Sequence, residues 1–162
     1  MKGRTWFGKT AVIGLLQRTD AKSKSKVRTT VIPGTKRHTL RGHIEQHVED
    51  GAKVYTDSLA SYDGLQASYN HAVINHAEKY VEGEIHTNGM ETFWSLLKRT
   101  LNGTYVSVEP FHLFRYLDEQ AFRFNEREGN DAGRFHTAIK GIVGKRLMYR
   151  ELTANEDRPE RL

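Results

Sequence analysis

The chain has 162 residues, 37% hydrophobic and 28% charged, which suits one compact soluble domain with a tail and excludes a low-complexity polymer. It contains no cysteine, so disulfides and thiolate metal sites are excluded, and no apolar run approaches the roughly 18 residues of a membrane span. Charge is uneven: residues 1–42 hold eleven Lys or Arg against one acid, Asp20, while the other 120 residues hold 14 basic and 19 acidic side chains. A basic front third fits a polyanionic partner, most simply nucleic acid, and a solvated basic surface is the alternative. The start, MKGRTWFGKT, has neither the apolar core nor the cleavage site of a signal peptide, so a cytoplasmic protein away from the membrane is expected.

TAVIGLLQ (10–17) reads as a buried strand and KVRTTVI (26–32) as a partly alternating one. The basic TDAKSKSK turn between them makes this pair a hairpin, ended by Pro33 and Gly34. Residues 38–50 read as a helix with Leu40, Ile44, His47 and Val48 on one side and Gly51 as its stop. AKVYTDS (52–58) is a short strand, SYDGLQA a short helix or turn, and HAVIN (71–75) another strand. Residues 77–85 read as an acidic loop. In HTNGMETFWSLLKR (86–99), Met90, Phe93, Trp94, Leu97 and Leu101 recur at spacings of three and four, so a helix here buries that face. Pro110 opens another helix with a stripe of Leu113, Tyr116, Leu117, Ala121 and Phe124, from which Arg115, Arg123 and Arg127 project outward. EGNDAG (128–133) reads as a linker, residues 134–151 as a last amphipathic segment, and the end as frayed. This order argues for a mixed α/β sheet covered by helices.

Asp57 stands where a strand runs out, the place where open α/β sheets put their ligands. Asn88 and Glu91 are one helical turn apart and face the same way. Oxygen ligands from a strand end and a helix suit Mg²⁺, which takes one or two carboxylates and leaves positions for water and phosphate. Lys98, two turns after Glu91, can hold a phosphate as a point charge, and His86 can bond one. Capping is the competing reading: Asn-x-x-Glu at a helix start resembles a capping box, and Asp57 can cap the short helix after it. His43 and His47, at i and i+4, lack a third ligand at a diagnostic spacing for zinc.

VYTDSLASYDGL, then HTNGMETFWSLLKRTLNGTY, then HLFRYLDEQAFRFNER resemble bacterial insertion-sequence transposases of the DDE superfamily, in the ISXO-like branch. GKTAVIGLLQR and GKRLMYREL extend the likeness over about residues 3–153. The resemblance implies a ribonuclease H-like mixed sheet flanked by helices. It implies cleavage at transposon ends and joining of the 3′ hydroxyl to target DNA, with Mg²⁺ (or Mn²⁺) held by three acidic or amide positions, in a homo-oligomer when complete. Asp57 then stands as the second catalytic Asp, and Glu91 or Asn88 as the third position, Glu91 being favoured by Lys98 seven residues on. Lys98, Arg99, His86, Arg115 and Arg123 become candidate DNA contacts. The first catalytic Asp has no counterpart: only MKGRTWF, without an acid, precedes GKTAVIGLLQR, and Asp20 falls in the hairpin turn. The expectation is therefore an N-terminally truncated catalytic domain over residues 1–128, missing its first strand and inactive alone, followed by a helical tail over 129–162. The alternative is a non-catalytic DNA-binding remnant that modulates a full-length transposase.

Overall fold

A hairpin lies between two helical layers in the computed structural model, which describes residues 10–18, 24–74, 88–105 and 108–153. Strands β1 (Ala11–Gln17) and β2 (Lys26–Ile32) pair antiparallel, with Val12 opposite Val31, Gly14 opposite Thr29 and Leu16 opposite Val27. Because side chains alternate along a strand, those pairs share one face, and Ala11, Ile13 and Leu15 share the other. Helix α1 (Arg37–His47) covers the second face: its buried Leu40 packs with Ile13 and Ile32. Helices α2 (Asn88–Thr100) and α3 (Leu113–Asn125) cover the first, where Val27, Phe93, Leu97, Leu117 and Phe124 form the main core. Phe93 is wholly buried and meets Phe124 edge-on, with ring centroids 5.6 Å apart.

Two glycines let α2 rest on β1. A Cβ at Gly14 would stand 2.4 Å from Met90 Cε and 2.6 Å from Trp94 Cζ2, and one at Gly89 would stand 2.5 Å from Leu16 Cδ2. At Gly14 the rigid Trp94 ring makes the missing side chain a packing requirement for the close approach of helix to sheet, whereas at Gly89 the flexible end of Leu16 would have to shift.

Strands β3 (Lys53–Thr56) and β4 (Asn70–Val73) pair in parallel, joined by a crossover that contains two short 3-10 turns, Ala60–Tyr62 and Leu65–Ala67. Parallel strands need such a crossover, because a tight turn can only return the chain antiparallel. Leu65 and Tyr69 from this connection pack on Ile44 of α1, alongside Leu15 and Val54, which sets β3 near β1. The Arg18 guanidinium also lies over the Tyr55 ring, 5.6 Å from its centroid. The chain is thus mixed α/β, as the sequence suggests. Instead of one sheet, however, the described residues form two two-stranded sheets, with no strand among them that hydrogen-bonds the pairs together.

The outer edge of β2 is closed by a side chain. Asn125, at the end of α3, accepts from the Val27 N–H at 2.7 Å and donates to the Val27 carbonyl at 3.0 Å, as a neighbouring strand would. Val27 is 1% exposed, so water cannot replace those bonds. Asn125→Ala leaves a buried N–H and C=O unpaired, which costs about 1–3 kcal/mol. Urea unfolding is expected to show a loss of about 2 kcal/mol with an unchanged slope; a loss below about 0.5 kcal/mol would rule out this edge closure as a stabilising contact.

The chain after α3 differs most from expectation. The linker ends early, because α4 (Asp131–Ile142) starts inside it, capped by Asn130, whose side chain accepts from Gly133 N at 2.8 Å. The single amphipathic segment expected over 134–151 is broken after Ile142, where Gly144 takes φ +75°, and α5 (Tyr149–Thr153) follows. Helix α4 has no buried residue: Phe135 is 69% exposed and Ile142 58%.

Candidate functional site

Asp57 follows the last residue of β3 and is exposed. Its backbone direction is fixed by the β3–β4 ladder, which continues through Ile74 N donating to Thr56 O at 2.8 Å. Its Oδ1 accepts only a long bond, 3.3 Å, from Leu59 N. That is a weak version of the expected capping role, and it leaves the carboxylate open to a cation. Three side chains frame it. Thr56 Oγ1 donates to the Asp57 carbonyl at 2.9 Å and stands 2.9 Å from His71 Nε2 on β4. Tyr62, in the first 3-10 turn, has its phenol pKa pushed up by burial and, secondarily, by the negative charge of Asp57. Tyr62 packs in turn against the cluster of Ile13, Ile32 and Leu40 on the α1 face of the hairpin.

Glu91 approaches β1 from the opposite face. It is exposed in the first turn of α2, where its charge favours the helix dipole, and its neighbours Met90 and Trp94 rest on Gly14. Helix α2 includes Asn88 and carries Glu91 in its first turn; Thr87, the other candidate cap, lies outside the described residues. His86 lies outside the described residues. Asp57 thus belongs, through Tyr62, to the α1 side of the hairpin, and Glu91, carried on α2, to the other side. Among the described residues no three His, Cys, Asp or Glu side chains come together to hold a metal.

The candidate anion contacts separate into groups. Lys98 and Arg99 are exposed in the last turn of α2. Arg123 is exposed and bound to Glu119 one turn earlier, N to O 2.9 Å, and Glu119 also accepts from the Tyr105 hydroxyl. That hydrogen bond, and after it burial, push the Tyr105 phenol pKa up. Arg115 does not project outward: it is half-buried, lies against the Phe114 ring and donates to the Glu151 carbonyl of α5 at 2.8 Å. Arg127 is fixed by Ser25 at the base of β2 and by the Phe124 carbonyl, 2.8 Å away. His47 meets the His43 carbonyl through Nδ1 at 2.9 Å, so that ring nitrogen is engaged within α1.

Sequence reading passed over His71 and Tyr62. The strand expected over HAVIN includes His71, but only the parallel pairing of β4 with β3 sets it beside Thr56. No helix among the described residues is long and apolar enough to cross a membrane.

The model of the ISXO2-like transposase domain family matches residues 2–125. A protein of Haemophilus influenzae described as an uncharacterized transposase-like protein is 37% identical over 106 residues, spanning 65% of this chain and 85% of its own length. No solved structure matches the chain.

Proposed function

The chain belongs to the ISXO2-like transposase family, and on that premise we propose that it serves DNA transposition as a DDE-type, metal-dependent strand-transfer domain. The observation that carries this reading is an exposed carboxylate, Asp57, at the outgoing end of β3 in a chain whose residues 2–125 match the family. A ribonuclease H-like sheet accounts for the order of hairpin, helix, parallel pair and crossing helices. The catalytic part then spans residues 1–128, with 129–162 as a helical tail; α4, without a buried residue, fits that division.

Asp57 with Glu91, or with Asn88, would hold Mg²⁺ or Mn²⁺; the donors are hard oxygens, which suit these ions. When bound, such ions activate the attacking oxygen and stabilise the leaving one in phosphodiester chemistry. The protein's own part is to orient the carboxylates, Asp57 through the β3–β4 ladder and Glu91 through α2 seated on Gly14. Lys98, Arg99 and Arg123 hold DNA phosphates, with His86 and Arg115 as further candidates from sequence. The active form is a homo-oligomer acting in the cytoplasm on transposon ends and target DNA.

Residues 1–19 contain no acid to stand as the first catalytic Asp that the resemblance implies. The same observation favours a second reading, a non-catalytic DNA binder that modulates a complete transposase.

One assay separates the readings. The purified chain is titrated against duplex DNA from the ends of its own element, over a range of salt, with and without Mg²⁺. The expected result is binding whose logarithm falls linearly with log salt, without strand cleavage. Absence of salt-dependent binding would sink the DNA reading. Efficient Mg²⁺-dependent strand transfer by this chain alone would show that its site is complete after all.

A further inference from the structure

A cavity of about 450 Å³ lies between the hairpin, α2 and α3. Its size falls within the ~300–1,000 Å³ typical of small-ligand sites. Leu16, Leu96 and Phe124 supply apolar surface, Thr92 and Gln120 polar groups, and Arg123 and Arg127 positive charge. None of its lining residues is acidic. Opposite signs therefore meet if an anion-bearing ligand with a flat apolar part enters.

Arg127 makes the wall unusual. Its guanidinium lies over the Phe124 ring, 4.4 Å from the centroid, and three contacts hold it there: the Phe124 carbonyl, the Ser25 carbonyl and the Ser25 hydroxyl. A guanidinium fixed in this way is a rigid flat cation, and bases stack on such planes as they do on aromatic rings. Arg123 is likewise held, by Glu119, at the same opening. Gly89 and Thr92, on the α2 side, flank Glu91 in sequence, so the cavity adjoins the first turn that carries the candidate metal ligand.

We propose that this cavity receives one unstacked nucleobase of a DNA strand, stacked against Arg127, while Arg123 holds the adjoining phosphate. The inference rests on the DNA-binding reading above and adds to it a site for a single base. It gives the protein a preference for frayed or single-stranded ends over continuous duplex, because taking a base from an intact stack costs free energy that an unpaired base does not require.

The test uses the full chain, a blunt duplex, a duplex of the same sequence with an unpaired 3′ overhang, and overhangs carrying one abasic site at successive positions. Thr92 is exposed on α2, so Thr92→Phe fills the cavity without disturbing the core. The expected result is about tenfold tighter binding of the overhang than of the blunt duplex. Both Thr92→Phe and an abasic site at one position remove that preference, and salt-dependent duplex binding stays unchanged. Equal binding of all these DNAs, or a preference that survives both Thr92→Phe and every abasic position, would overturn the base site alone. If neither DNA binds at any salt, the DNA reading fails and the base site with it.

Discussion

Phe93→Ala is expected to destabilise the chain by about 3–5 kcal/mol, the range for truncating a fully buried phenylalanine. Domains of this size are typically stable by only about 5–15 kcal/mol, so the loss takes a large fraction of the total. The size of the effect follows from position. Phe93 is 0% exposed and belongs to the cluster that joins Val27 of β2, Leu97 of α2, and Leu117 and Phe124 of α3. Its ring also meets Phe124 and Trp94 edge-on, at 5.6 and 5.2 Å between centroids, contacts that add to the area term. The surrounding layer is pinned by Asn125 on β2 and by Gly14 under Trp94, so collapse around the hole is limited and the cavity persists. Phe135→Ala provides the contrast. Phe135 is 69% exposed on α4, and its truncation is expected to change stability by less than about 0.5 kcal/mol. Urea denaturation of both variants decides the matter: similar losses at the two positions would mean that the α2–α3 core is not what holds the hairpin.

The contrast between Phe93 and Phe135 also marks what periodicity can tell. Both lie in stripes at helical spacing. In α2 the stripe finds a cover, because the hairpin and α3 present Val27, Leu117 and Phe124 to it. In α4 the stripe of Phe135, Ile139 and Ile142 faces solvent in this chain. Spacing shows that a helix has an apolar face and is silent about whether the same chain supplies the opposite surface. The hairpin, the buried Leu40 and Ile44, and the seating of Phe93 and Leu97 were legible because alternation and local turn residues determine them. Asn125 was not: a polar residue at a helix end reads as surface, and its partner Val27 is 98 positions away. Nor was the inward turn of Arg115, which depends on where α5 brings Glu151. The split into two small sheets was equally hidden, since each pair of strands looks the same in sequence whether or not a neighbour joins them. At the candidate site, Asp57 was legible from the end of its strand. The pair that steadies the end of β3, Thr56 and His71, needed the parallel register to appear.

Asp57→Asn is expected to abolish Mn²⁺ binding while leaving the fold intact. Asp57 is exposed, and asparagine keeps the Oδ1 that accepts from Leu59 N, so the stability change should stay within about 0.5 kcal/mol. The loss at the metal is expected to be larger, because a neutral amide would replace one of the two carboxylates proposed to hold it. Paramagnetic broadening reads this directly. In the native chain, Mn²⁺ should broaden the backbone amide signals of residues 58–60 and of Glu91 and Thr92 over the same concentration range, since one shared site reports to both. Asp57→Asn should remove both sets at once, and Glu91→Gln should weaken both by about tenfold. If Asp57→Asn silences the crossover signals but leaves those of α2 broadened, the two carboxylates bind separately and do not form one site. If Glu91→Gln has no effect, the third position passes to Asn88, and Asn88→Ala must then produce the loss. Should all three variants bind Mn²⁺ as the native chain does, the metal lies elsewhere and the proposed assignment of the DDE positions is wrong.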